Sequence, residues 1–454
     1  MKTKLLAITT LILTLTQLGA AQNILDIECY YNAKAGMNGI HVADVNGDGK
    51  NEIIAASYDG NIYLFDAACN KLWAYYAACP AYTAYGVDIN HDGKTEAVGG
   101  NCQHIILIDA KGELIWKYRT GMTVVRITSG DIDGDGNPEI ITGSDAPSGT
   151  SSILDIAKSD GDAMWGKTYK GSKLHGLLAA DINGDGKDEV ITGTSKVNAY
   201  NSSGDTIWTT QVNGNVEVLH RDDINKDGRQ EILVGARPTA YLLDNNGAVI
   251  WSFDSNDSVE DMTAYDINSD REKEVLVGSD KLYAVDGKGN LLWSYSTGNK
   301  IHKLLVDDLD SDGIPELIAG SDMLYVLSPD GVLLWKYRTY RDITGLEIDN
   351  GTDKRLIASA LDRNVYVFKA AKKEPASLAQ PVEVTTTTQA KSTTTTMQKA
   401  QPQRTSSTTT TTTTNPIKTA DQPNPFDSIL LTAIVLIIML AIIYFTTNKI
   451  RGIR

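Results

Sequence analysis

Seven stretches of the chain place oxygen-bearing side chains at the first, third, fifth and ninth positions of a nine-residue frame. They are Asp44, Asn46, Asp48 and Glu52; Asp88, Asn90, Asp92 and Glu96; Asp131, Asp133, Asp135 and Glu139; Asp181, Asn183, Asp185 and Glu189; Asp223, Asn225, Asp227 and Glu231; Asp266, Asn268, Asp270 and Glu274; and Asp308, Asp310, Asp312 and Glu316. The seventh position holds Lys50, Lys94, Asn137, Lys187, Arg229, Glu272 or Ile314, so its spacing is kept while its side chain varies freely. A slot of that kind suggests a backbone carbonyl ligand. Several carboxylates with a carbonyl and a water supply the six or seven hard oxygens that calcium takes at about 2.3–2.6 Å. Magnesium demands a stricter octahedron, and no Cys/His cluster offers a zinc site. Left without a cation, carboxylates this close repel by roughly several kcal/mol in a partly buried loop.

Six frames are intact. In the seventh, headed by Asp266, Arg271 stands where the others have glycine, which puts its turn in question. An eighth copy starting at Glu347 has Arg355 in the glutamate position and is read as unable to hold metal. Six divalent ions would add about +12 against a formal charge of −15, a balance that suits cations and disfavours nucleic acid as a partner.

The elements around the frames repeat with them. Each frame leads into a short apolar run (EIIAAS, EIITGS, EVLVGS), then an alternating segment (NIYLFDA, KLYAVDG), then a turn and a tryptophan strand (KLWAYY, ELIWKY, LLWKYR). Period-2 patterning and Gly/Asp/Asn turns give four short strands per unit. A single four-stranded unit cannot bury both faces, and radial stacking solves this, so the expected fold is an all-β, eight-bladed β-propeller, with seven blades as the alternative. Trp73, Trp116, Trp165, Trp208, Trp251, Trp293 and Trp335 fall in one slot per unit and read as wedges between blades. The last unit supplies only three strands. An orphan strand at residues 23–31 (NILDIECYY), aligned with Glu28 in the tryptophan slot, is expected to complete it and close the ring.

Outside the repeats, residues 1–21 read as a signal peptide and 22–371 as the propeller. Residues 372–427 form a Thr/Ser/Pro-rich stalk, 428–447 an uncharged apolar run long enough to span a bilayer, and 448–454 a basic tail facing the cytoplasm. The expectation is a single-pass type I membrane protein with an extracellular head, in a prokaryote and by preference an archaeon. In an exported compartment Cys29, Cys69, Cys79 and Cys102 pair. Blade topology favours 79–102 and 29–69, with 69–79 as the local rival. Asn201, Asn256 and Asn350 lie in glycosylation sequons. His41, His175, His220 and His302 fall on first strands near the axis, where a satisfied polar histidine is commoner than a ligand.

Loops of the form DxNxDGxxE followed by EIITGS-like strands resemble the FG-GAP/VCBS repeats of integrin α-subunits and microbial surface proteins, over residues 24–370. The hairpins DAKGELIWKY and DGKGNLLWSY are similar to PQQ-like propeller repeats. The resemblance implies calcium in loops between first and second strands, and adhesion or binding of a surface protein or glycan. No nucleophile elbow, HExxH pair or phosphate-binding glycine loop is present, and the adjacent-cysteine pair of many PQQ-dependent dehydrogenases is absent. A polysaccharide lyase and an envelope-assembly scaffold remain the alternatives. A lyase would need a basic cluster facing the channel, and nothing in sequence order singles one out.

Overall fold

The computed structural model describes residues 24–351 and 353–371. The expected signal segment, stalk, apolar span and basic tail therefore lie outside the described residues.

Within them the chain forms thirty-two strands, β1–β32 in chain order, arranged as eight four-stranded antiparallel sheets. Successive blades are β2–β5 (residues 37–76), β6–β9 (83–119), β10–β13 (123–170), β14–β17 (176–211), β18–β21 (216–254), β22–β25 (261–295) and β26–β29 (303–337). The eighth is β30 (Ile343–Asp349), β31 (Arg355–Ala360) and β32 (Asn364–Ala370), completed by β1 (Leu25–Asn32). The first strand of each blade packs against the first strands of its two neighbours, and β30 packs against β2, so the ring is closed with eight blades.

Strand position explains residue choice. Second and third strands lie between neighbouring blades and are buried almost throughout, as in Glu52–Ser57 and Asn61–Phe65, so they read as unbroken apolar runs. Fourth strands alternate exposed and half-buried residues, as in Lys71–Tyr76. The core is accordingly a series of interblade layers. Ile54, Ile62 and Leu64 of blade one meet Ala97, Ile106 and Ile108 of blade two, while Ile53, Tyr63 and Phe65 meet Ile357, Val365 and Val367 of blade eight.

Tryptophans join the blades at the rim. The indole N–H of Trp73, Trp116, Trp165, Trp208 and Trp293 donates to a turn carbonyl of the next blade, at Ala110, Ser159, Ser202, Asn245 and Pro329 respectively. A turn glycine lies over the ring. A Cβ on Gly247, whose φ is +80°, would come within 2.6 Å of the Trp208 ring. Gly247→Ala combines left-handed backbone strain with a clash and is expected to cost about 2–3 kcal/mol, read as a shift of the urea midpoint at unchanged m-value. Trp251 forms the same wedge beneath Gly289, but its buried N–H has no partner.

The ring closes as expected, with one correction. β1 pairs with β32 from Leu25–Ala370 to Asn32–Asn364. Matching Tyr30–Tyr31 to Tyr75–Tyr76 puts Glu28 in the tryptophan slot, but the strand sits one residue further along. Cys29 opposes Val367 as Trp73 opposes Leu64, and Glu28 falls in the bulge. Both favoured disulfides, Cys29–Cys69 and Cys79–Cys102, are formed. Cys69 has φ 62° in the turn slot that Gly112 fills at 85° in the next blade. At the closure, a covalent bond between these two slots stands in for the indole-and-glycine wedge.

Candidate metal loops and the central channel

All seven frames join the first strand of a blade to its second, and because strands alternate in direction they share one face of the ring. Their backbones are alike. The first-position Asp accepts the N–H of the sixth residue at 2.8–3.1 Å in every frame (Gly49, Gly93, Gly136, Gly186, Gly228, Arg271, Gly313). The fifth-position Asp accepts the N–H of the seventh at 2.7–2.9 Å (Lys50, Lys94, Asn137, Lys187, Arg229, Glu272, Ile314). The ninth-position Glu is buried and accepts the N–H of the second residue, as Glu52 does from Val45 at 3.0 Å and Glu316 from Leu309 at 2.8 Å.

Arg271 adopts φ 75° and donates to Asp266 at 2.9 Å, so the turn left in question forms like the others. The fourth residue is also left-handed in frames without glycine there: His91, Lys226, Ser269 and Ser311 lie at 56–60°. Seven frames, not six, share the geometry.

The third position divides them. Asn46, Asn183, Asn225 and Asn268 donate an amide N–H to the ninth-position Glu at 2.8–3.0 Å. Asp133 and Asp310 have no N–H to give. In their frames Asp131, Asp133 and Glu139, and Asp308, Asp310 and Glu316, each bring one oxygen within 4.8 Å of the others and could hold a metal ion.

The donor set and its field fit a hard cation. Burial, with the neighbouring Asp carboxylates adding to it, raises Glu52, Glu96, Glu139, Glu231 and Glu274 above the usual carboxyl range and pushes Glu189 and Glu316 up to about 7. Asp223 Oδ1 is buried with no hydrogen-bond partner. The chain brings cations of its own to these loops: Lys158 Nζ lies 2.9 Å from Asp133 Oδ2 and lowers that carboxyl, and Lys354 Nζ donates to the Asp308 carbonyl at 2.8 Å.

A glutamate raised on folding stabilises the fold below its unfolded pKa, and that contribution is lost as pH rises through the folded value. For Glu189 and Glu316 the window runs from 4.5 to about 7. A bound cation favours the ionised form and removes the loss. The rise in Tm on adding calcium is therefore expected to be larger at about pH 7.5 than at about pH 5, measured by scanning calorimetry at both.

Blade eight departs further. Glu347, expected to head a loop, lies within β30 opposite Ile357. The turn holds only residues 350–354, against 44–51 in blade one, because Asp349 pairs directly with Arg355. Arg355 stands in the glutamate register, 2.8 Å from Glu28 on β1, while Asn51 of blade one donates to Asp349 at 2.9 Å. A fixed guanidinium occupies the place of an acidic ligand.

The channel opens on the opposite face, where a cavity of about 520 Å³ is lined by first strands and by Tyr58, Tyr82, Asp342 and Leu361 from the connections there. His41 and His220 sit on first strands, whereas His175 and His302 come one residue before β14 and β26. Burial holds His41 down to about 4. It would lower His175 too, but Glu217 (2.5 Å from Nδ1) and Asp145 (3.1 Å from Nε2) outweigh it and raise that imidazole. His220 Nε2 lies 3.0 Å from Asp261. Arg126 is open to the channel yet ringed by protein, and this confinement lowers its pKa. Arg126 and His175 on one side and His302 and Lys303 on the other bring basic side chains to the cavity wall, beside the acidic Glu260, Asp342 and Glu347; sequence order does not show this because blades three, four and seven each supply only a residue or two.

Fold and loops define an eight-bladed β-propeller protein with acidic first-to-second-strand loops. Residues 33–117 and 194–259 match the model of the lambda-carrageenase β-propeller domain. No curated protein matches the chain. Among solved structures, the V. cholerae biofilm matrix protein Bap1 is similar with a TM-score of 0.60 and 15% identity, covering 77% of this chain and 91% of that one. BamB from Moraxella catarrhalis is similar with a TM-score of 0.56 and 16% identity, covering 76% and 100%. At these identities the likeness is one of fold.

Proposed function

We propose that the protein is a calcium-stiffened β-propeller held at the cell surface by one C-terminal membrane span, where it binds a surface protein or glycan. The observation that carries this reading is the identity of the seven frames. One backbone geometry recurs on one face, with buried glutamates and hard oxygens converging in every loop. Calcium fills six or seven of them, with Asp131, Asp133 and Glu139, and Asp308, Asp310 and Glu316, as the strongest. The FG-GAP/VCBS-like loops and PQQ-like hairpins support the same reading, as does the fold shared with a biofilm matrix protein. Pull-down from detergent-solubilised cells with the full-length protein, with and without chelator, tests it. A partner recovered only in calcium is expected; recovery of nothing, or of the same partner in chelator, counts against it.

A second reading, action on a polysaccharide, draws on the basic side chains in the channel wall and on the match to a carrageenase propeller. Release of unsaturated uronides from a polysaccharide panel would favour it, and an inert purified protein would not.

A further inference from the structure

The cavity treats its charges unequally. Most of its carboxylates have close partners. Asp145 and Glu217 clasp His175, Asp261 holds His220 and Glu260 takes Lys300 at 3.2 Å, whereas Glu347 faces His41, which burial keeps neutral, at 3.8 Å. Asp342, at the rim, makes no ion pair among the described residues. Neither do Arg126 and Lys303, which lie deeper. Arg126 instead donates to the carbonyls of His175 and Val125 at 3.0 and 2.9 Å. Arg126 belongs to blade three and Lys303 to blade seven, four blades apart in a ring of eight, so they stand on opposite sides of one cavity. Glu217, Asp145, Glu260 and Asp261 act on Arg126 from a distance, and Asp261 and Glu347 on Lys303, but neither cation is held in a direct ion pair, so both can turn to an anion entering the shared space.

The rim says what carries that anion. Tyr58, 38% exposed, meets Tyr82 edge-on with ring centroids 5.6 Å apart, and Asn38, Thr83 and Thr344 add amide and hydroxyl groups. Aromatic faces beside neutral hydrogen-bonding groups suit a sugar ring, and a cavity of about 520 Å³ suits a small ligand better than a folded segment. Both ends of the described chain lie on the other face, where the Ala371 N–H donates to the Ile24 carbonyl, so neither end obstructs this rim.

We propose that the cavity binds an acidic oligosaccharide, with its anionic group seated between Arg126 and Lys303 and a sugar ring against the Tyr58–Tyr82 pair. This rests on the ligand-binding reading above and names the ligand's class and the face it approaches. Carboxylate and sulfate ester share the required chemistry. Calorimetric titration of the full-length protein in calcium with oligogalacturonides, sulfated galactan oligosaccharides, neutral galacto-oligosaccharides and poly-glutamate separates the sources. One of the two acidic saccharides is expected to bind at least tenfold more tightly than the neutral one. Arg126→Gln and Lys303→Gln are each expected to weaken it about tenfold or more, the loss of one charge-assisted contact. Unchanged Tm in each variant shows that the ring is intact, and their positions on separate blades make two independent tests.

Equal binding of neutral sugar, preference for poly-glutamate, absence of saccharide binding, or affinity unmoved in both variants overturns the proposal. Where a partner is still captured in the pull-down, any of these results removes the channel site and leaves the ligand-binding reading standing. Failure of both experiments removes both.

Discussion

Chelating divalent cations at neutral pH is expected to lower the unfolding free energy of the protein by on the order of 10 kcal/mol or more, the largest change that any single reagent should produce. A site held at a hundred times its dissociation constant contributes about 2.7 kcal/mol by mass action. The seven frames lie in seven blades, but neighbouring loops touch, as where the Thr95 N–H donates to the Asp44 carbonyl and the Asp188 N–H to that of Asp131, so their contributions add only in part. The physical source is the buried glutamate of each frame, which burial and the neighbouring aspartates hold above the usual carboxyl range and whose ionised form a bound cation favours. Scanning calorimetry in chelator and in millimolar calcium measures the effect, and superimposable traces would contradict it. Magnesium should restore only part of the stability, because the loops have hydrogen-bonded backbones that cannot contract freely to an octahedron.

The second large effect concerns ring closure. Replacing Cys29 and Cys69 together by serine is expected to cost about 4 kcal/mol from chain entropy alone, given the 40-residue separation. The Cys79–Cys102 pair, separated by 23, should differ from it by only a few tenths on that count. Their consequences should nevertheless diverge. Cys79–Cys102 lies in and beside one blade, whereas Cys29–Cys69 ties the last blade to the first at the junction with no tryptophan wedge. β1 then keeps only its ladder with β32 and the Glu28 contacts with Arg355 and Lys369, while blades one and eight still meet through their core layer, β2 against β30 and the Asn51–Asp349 hydrogen bond. In the double serine variant, amide exchange is expected to accelerate selectively in β1 and β32, with the other blades protected as before. Uniform acceleration, or none, would contradict a local latch.

Much of this molecule is legible in its sequence because the blades are near-copies. Eight blades, closure by an N-terminal strand, both disulfides and the position of every acidic frame follow from period-2 strands and recurrent turns. The errors fall where one copy breaks the pattern. Matching tyrosine pair to tyrosine pair puts Glu28 in the wedge slot, but the pair follows the slot directly in β1, with Tyr30 opposite Tyr366, whereas Ala74 intervenes in blade one. Arg271 in place of glycine puts the Asp266 turn in doubt by sequence alone, yet the hydrogen bonds it shares with six similar loops impose a left-handed conformation at that point. Spacing puts Glu347 at the head of a loop, but the last turn is shortened and the residue stays in its strand, which alignment by spacing cannot show. The channel cations were invisible for a different reason. Their grouping exists only after the ring closes, and no linear interval relates Arg126, His175 and Lys303.

The closing strand also sets an order on how the molecule can be made. Leu25 is among the earliest residues to leave the ribosome, yet its partner Ala370 is among the last of the repeats. Seven blades can therefore assemble as they emerge, while β1 waits with an unsatisfied edge until the eighth arrives. Completion of the ring is thus a report that every blade has been made, and a nascent chain truncated anywhere before blade eight would carry a free strand open to capture by chaperones or by the edge of another copy.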